Sequence, residues 1–168
     1  MELIRITNSS NYVIPNGHFR YLEYFHPRIS PNDIEFEMPK ALADGMEVLR
    51  GWYNIPMDIT STIRPNDPIG SFHHIGYAVD SVPTDPSIRL HIINDFMQEC
   101  IKYQNLQGST LVDNLRSVGV VGYGLEGNNC IHIDTRQSNT CDVDKYGHYI
   151  VFEWDKINGS KVIYRKQS

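Results

Sequence analysis

The sequence predicts an α+β domain built on a mainly antiparallel sheet. Three observations carry that prediction. Apolar residues recur at helical spacing in segments before Val118, short β-type runs follow from there onward, and Asn158-Gly159 joins the last two of those runs. Helices early and strands late, linked by close turns, give segregated α+β architecture rather than the alternation of a parallel α/β fold. At 168 residues and 40% hydrophobic content the chain is long enough for one sizeable core, and 1–168 reads as a single domain.

Residues 1–37 read as an irregular lead-in, rich in aromatics from Phe19 to Phe25 and interrupted by Pro27 and Pro31. From Met38 to Trp52, apolar Met38, Leu42, Met46 and Leu49 recur at helical spacing and predict an amphipathic helix. Pro56 ends it, and Met57 to Thr62 alternates as a strand does. Pro86 and Ser87 open a second helix, expected to reach about Tyr103 with Ile88, Ile92, Phe96 and Ile101 inward. A shorter helix is expected over Leu111 to Val118. Strands are expected over Val118 to Tyr123, Cys130 to Asp134, His148 to Trp154 and Lys161 to Arg165, the last two forming a hairpin through Asn158-Gly159.

Bulk properties exclude several function classes. Fifteen basic against twenty acidic residues leave a net charge of −5, with no run of Lys or Arg to follow a phosphate backbone, so nucleic acid is not an expected partner. Cys100, Cys130 and Cys141 form no Cys-x-x-Cys pair, and an odd number cannot all be consumed by disulfides within the chain. Residues 1–15 lack the unbroken apolar core of a signal peptide and no later stretch has membrane-spanning length. The expected location is therefore cytoplasmic until the protein is released or exported.

Two stretches carry chemistry: Ser71-Phe72-His73-His74-Ile75-Gly76-Tyr77-Ala78-Val79-Asp80, after Gly70, and Ile131-His132-Ile133-Asp134. Catalytic zinc typically keeps three protein ligands, often two His and one acid, and leaves a position for water. His73, Asp80 and His132 suit that pattern. Gly70 and Gly76 point to a loop feeding a strand, on which Ala78 and Asp80 share a face, as do His132 and Asp134 on theirs. Adjacent strands of this kind converge their ligands. Taken singly, each residue is also compatible with an ordinary hydrogen-bonded position.

Ser71-x-His73-x-x-Gly76-x-Ala78-x-Asp80 followed by His132-x-Asp134 resembles the zinc D-Ala-D-Ala carboxypeptidase and endopeptidase family, peptidase family M15, particularly its small phage and bacterial murein peptidases. The resemblance covers about 38–136, because Ser61-Thr62-Ile63-Arg64 also looks like the family's Ser-Gly-Tyr-Arg element; 137–168 remains as a C-terminal hairpin. It implies the hedgehog/DD-peptidase-like fold, a small antiparallel sheet flanked by helices. It also implies His73, Asp80 and His132 as zinc ligands, Ser71 as a substrate-binding residue, and Arg64 as the arginine that holds a substrate carboxylate or developing oxyanion. A guanidinium suits that role because it stays charged and binds two oxygens at once.

One departure bears on catalysis. Many members place Glu or Asp three residues before the last His, where this chain has Asn129, which cannot take a proton. Glu126, six residues before His132 as in the hedgehog-type site, and Asp134 remain as candidates. Glu126 is the favoured base and Asp134 the favoured support for an imidazole. His74 is expected to be structural or exposed, and Cys130 to be buried as a small apolar residue beside the site. His148 opens a strand and has no assigned role.

The activity so implied is zinc-dependent hydrolysis of peptidoglycan stem peptides, as an endolysin-like carboxypeptidase or murein endopeptidase. A zinc-containing binding or structural module without turnover is the alternative, and Asn129 speaks for it. An unrelated α+β domain that bears the pattern by coincidence would bind no zinc.

Overall fold

Leu3–Ile6 (β1) and Phe36–Pro39 (β2) pair antiparallel, with Ile6 opposite Phe36, so the expected irregular lead-in of 1–37 is corrected. That segment also contains the short helix Tyr21–Phe25 (α1). Alternation over four residues is a faint signal, and Ile6 and Phe36 gain their place only by burial against each other and the central core. The computed structural model describes residues 1–69, 71–105, 107–126, 130–135, 151–155 and 160–164.

Helix α2 (Lys40–Tyr53) begins two residues later than its apolar period indicates, because Met38 belongs to β2. Met38, Leu42, Met46 and Leu49 are all fully buried, as their spacing predicts. Full burial of such side chains stabilises by roughly 1.5–3 kcal/mol each, before the cost of ordering the chain. Asn54 ends the helix in the left-handed conformation at φ 49°, ahead of Pro56. Gly45 lets α2 lie close on the sheet. A Cβ there would come within 2.7 Å of Val120 and 3.1 Å of Ile133.

Helix α3 (Pro86–Gln104) starts at an Asp85 cap whose side chain accepts from the Ser87 amide, with Pro86 in the first turn. Its buried residues are Ile93, Phe96, Met97 and Cys100, whereas Ile88, Ile92 and Ile101 are half-buried. The inward stripe is therefore rotated by about one residue from expectation around the shared Phe96. Helix α4 (Thr110–Ser117) is capped by Ser109 and buries Leu111, Val112 and Leu115.

The second sheet runs β3 (Met57–Ser61), β4 (Ala78–Pro83), β6 (Cys130–Asp134), β5 (Gly122–Glu126), β7 (Val151–Asp155), β8 (Ser160–Tyr164) in spatial order. Every neighbouring pair is antiparallel except β5 with β7. The fold class is thus α+β with a mainly antiparallel sheet. β5 lies later than the expected strand over 118–123, since Val118 caps α4 and Gly119 turns at φ 100°. The Asn158-Gly159 turn and His148 fall outside the described residues. Among the described residues no helix is long and apolar enough to cross a membrane.

Strand alternation divides the roles of the two sheet faces. Val79, Tyr123, Leu125, Ile131 and Ile133 join the helices in the core. Ala78, Asp80, Val82, Cys130, His132 and Asp134 have the opposite parity, and β4 and β6 bring them together in the pairs Ala78–Asp134 and Asp80–His132.

Candidate metal centre

Asp80 and His132 are direct partners across two hydrogen-bonded strands. His73 joins them from a 3-10 turn, Phe72–Ile75, that Gly76 closes at φ 78°. Two constraints act on Gly76. Its φ disfavours a side chain, and a Cβ would lie 2.7 Å from the Phe36 ring. The expected loop feeding a strand is found here, with Gly76 as the residue that permits the path.

His73 is clamped from outside the cluster. Its Nδ1 lies 2.6 Å from the Thr62 carbonyl oxygen, and its own carbonyl accepts from the Arg64 amide at 2.7 Å. A carbonyl can only accept, so Nδ1 carries a proton, and in the neutral ring Nε2 is the nitrogen with the lone pair. That Nε2 lies 3.1 Å from Asp80 Oδ2.

His132 is fixed in the converse way. Its Nε2 lies 3.0 Å from Asp134 Oδ2 and its Nδ1 lies 2.7 Å from Asp80 Oδ1. With a proton on Nε2 for the fully buried Asp134, the neutral ring turns its Nδ1 lone pair toward Asp80. The two rings meet edge to face, 5.2 Å between centroids.

The consequence is electrostatic. His73, Asp80 and His132 are each about 95% buried or more, and with both imidazoles neutral their converging atoms are two lone pairs and a carboxylate. Such a group requires a cation at its centre, a proton or a metal ion. The ionisation shifts express this need in the absence of metal. Burial alone would push the Asp80 carboxyl up, but neighbouring His73 and the hydrogen bonds from His132 and His73 hold it well below the usual carboxylate range. Burial opposes charge on His132 as well, yet the carboxylates of Asp134 and Asp80 lift it to about 9.

One ligand atom from each of the three residues lies within 4.8 Å of the others, so the group could hold a metal ion. A tetrahedral ion with bonds of about 2.0–2.2 Å keeps its ligand atoms roughly 3.3 Å apart. The Asp80 carboxylate oxygens stand near that spacing, 3.1 Å from His73 Nε2 and 2.7 Å from His132 Nδ1. Asp134 and Thr62 then act as the outer acceptors that orient the two imidazoles.

A cleft of about 320 Å³ opens beside the cluster, with Asp80, Arg64, Cys130, Thr60, Ser61 and Ser30 on its walls. Arg64 Nε lies 3.0 Å from Asp67 Oδ2, and the Ser71 hydroxyl donates to that same oxygen at 3.0 Å. Ser71 thus stands behind Arg64, one hydrogen bond removed. Cys130 is buried and accepts from the Thr60 hydroxyl at 3.5 Å. His74 is half-buried. Glu126 ends β5 at the register position opposite Cys130, one pair beyond Leu125–Ile131. Asn129 falls outside the described residues.

Sequence reading passed over Thr62, Asp67 and the segment Arg28–Ser30, whose amides bond the Ile59 and Thr60 carbonyls along the outer edge of β3. A carbonyl used as an acceptor leaves no trace in residue type. Asp67 had one signal, its i+3 spacing from Arg64. No family model, curated protein or solved structure matches the chain in comparison.

Proposed function

We propose that the protein is a zinc-dependent peptidase of the hedgehog/DD-peptidase-like fold that hydrolyses bacterial peptidoglycan stem peptides, as a D-Ala-D-Ala carboxypeptidase or murein endopeptidase. The observation that carries this reading is the orientation of the two imidazoles. Each has one nitrogen committed to an outer acceptor, and both remaining nitrogens converge on the Asp80 carboxylate. Together with the Ser71 to Asp80 and His132-x-Asp134 motifs, it supports a metal site of the catalytic type, with three ligands and a cleft lined by one of them, Asp80.

His73 Nε2, a carboxylate oxygen of Asp80 and His132 Nδ1 would hold the ion. Bound zinc supplies Lewis acidity, lowering the pKa of water towards about 7 and polarising a carbonyl. Arg64, steadied by Asp67, presents a guanidinium at the cleft wall to hold a peptide carboxylate or to stabilise charge that develops on the carbonyl oxygen. Glu126 is assigned the general base, taking a proton from the attacking water and passing it to the leaving amine. Asp134 is assigned to positioning, since its carboxylate is engaged by His132. To meet its substrate the protein reaches the wall by release or export.

Mass spectrometry of defined muropeptides, with chelation and zinc add-back, tests the proposal. Cleavage that is lost on chelation and restored by zinc is the expected result, and the product masses name the bond. A protein that contains zinc but cuts no stem peptide would instead be the non-catalytic module of the same fold, the reading that Asn129 favours. Glu126→Gln discriminates further. Retained zinc with lost turnover supports the base, and unchanged turnover removes Glu126 from the mechanism.

A further inference from the structure

Arg89 lies in the first turns of α3, on the wall of the same cleft as Asp80 and Arg64. Its Nε and Nη2 both donate to the Pro83 carbonyl at 3.1 Å. This two-point contact fixes the plane of the guanidinium at the end of β4 and leaves Nη1 without a hydrogen bond among the described residues. The nearby carboxylates are committed elsewhere. Asp58, opposite Val82 in register, accepts from Arg28 at 2.5 Å and Thr84 at 2.9 Å. Asp85 feels the charge of Arg89, but its Oδ1 caps α3 through Ser87.

Among the described residues on its walls, Arg64 is paired with Asp67 and the one carboxylate, Asp80, is engaged by two imidazoles, which leaves Arg89 as the cation with no carboxylate bonded to it. An anionic group is the complementary ligand for such a wall, although the chain as a whole carries a net charge of −5. Position adds a second constraint. Val82, also on the cleft wall, is two residues beyond Asp80 on the same strand face, a rise of about 6.7 Å. An extended peptide advances about 3.3–3.6 Å per residue. A group reaching the Arg89 end thus belongs to a residue one or two positions from the atom held near Asp80.

From this geometry we infer that Arg89 is a specificity-determining residue that binds a carboxylate of the peptide ligand, one or two residues from the carbonyl placed at the metal cluster. The inference rests on the peptidase reading for the identity of the peptide, and on the cleft alone for its charge. In a stem peptide an internal carboxylate of this kind is the α-carboxylate of the D-glutamyl residue.

The test compares a lysine-type stem peptide whose D-glutamyl α-carboxylate is free with the same peptide amidated at that carboxylate, using the full chain. Cleavage is followed by mass spectrometry and binding by calorimetric titration, so that kcat/KM is compared where turnover occurs and Kd where it does not. Wild type is expected to favour the free carboxylate by about tenfold or more, the scale of a charge-assisted hydrogen bond. Arg89→Gln is expected to erase that preference, the loss falling on the free-carboxylate peptide beyond any loss the two peptides share, and Arg89→Lys to keep part of it. Loss of the Pro83 contact alone would weaken both peptides equally, and a preference that survives Arg89→Gln, equal treatment of both peptides by wild type, or binding of neither overturns the inference. Should Arg89→Gln fail to fold, a preference in wild type that Arg89→Lys reduces supports it, and one that Arg89→Lys leaves whole overturns it. Preference without cleavage would retain Arg89 and sink the peptidase reading; cleavage without preference would do the reverse.

Discussion

His132 gives its Nε2 to Asp134, two residues on along β6 and 3.0 Å away, and so turns Nδ1 toward Asp80. A contact within one strand thereby decides which nitrogen enters the cluster. Removing the acceptor in Asp134→Ala is expected to weaken zinc binding by about 10–100-fold, with the fold retained. Competition with a chromophoric chelator measures it; an unchanged affinity would show that Asp134 does not orient the ring.

The metal-free protein should have a defined pH profile. His132 has its folded pKa raised from 6.5 to about 9, so its contribution to stability is complete below pH 6.5 and is lost as pH rises through about 9. Asp80 is held below its ordinary 3.8, so its contribution is present above that value and is lost as pH falls through the depressed one. Melting temperatures of chelated protein are expected to be highest between about pH 4 and 6.5 and to decline toward 9. Protons compete with metal for the same lone pairs, so zinc should raise the melting temperature most on the alkaline side. A chelated protein whose melting temperature rises from pH 6.5 to 9 would contradict this.

Arg64 and Asp67 should be separable in kinetics. Arg64→Ala is expected to lower turnover of a cleavable stem peptide by about a hundredfold or more, and Arg64→Lys to restore little, because an ammonium cannot reproduce the guanidinium fork. Asp67→Ala keeps the cation and removes the carboxylate 3.0 Å from its Nε, and a smaller loss of about tenfold is expected. Zinc content should be unchanged in all three, which separates these effects from loss of the ion.

Gly76→Ala places a Cβ at φ 78° and 2.7 Å from Phe36. A cost of about 1–3 kcal/mol in denaturant unfolding is expected, with weaker zinc binding because the turn that carries His73 must shift. Gly51→Ala, which meets nothing within 4 Å on α2, is the control and should be neutral or slightly stabilising.

The residues of the cluster were legible in one dimension because their signals are local. A glycine-bounded loop before an alternating run, and His-x-Asp within a short β run, specify residue types and strand faces, and strand alternation does the rest. The buried stripe of α2 was legible for the same reason. Residues 1–37 were not, since β1 and β2 are each four residues long and are stabilised by pairing across some thirty positions.

Residue order alone thus settled which side chains can form the cluster and the class of fold that presents them. Tertiary structure decided how they act: which nitrogen of each imidazole faces inward, what holds Arg64, and that Arg89 shares the cleft. The physical reason is that an imidazole's tautomer and a guanidinium's direction depend on acceptors such as the Thr62 and Pro83 carbonyls. Every residue carries such a group, and only the folded chain determines which one a side chain meets.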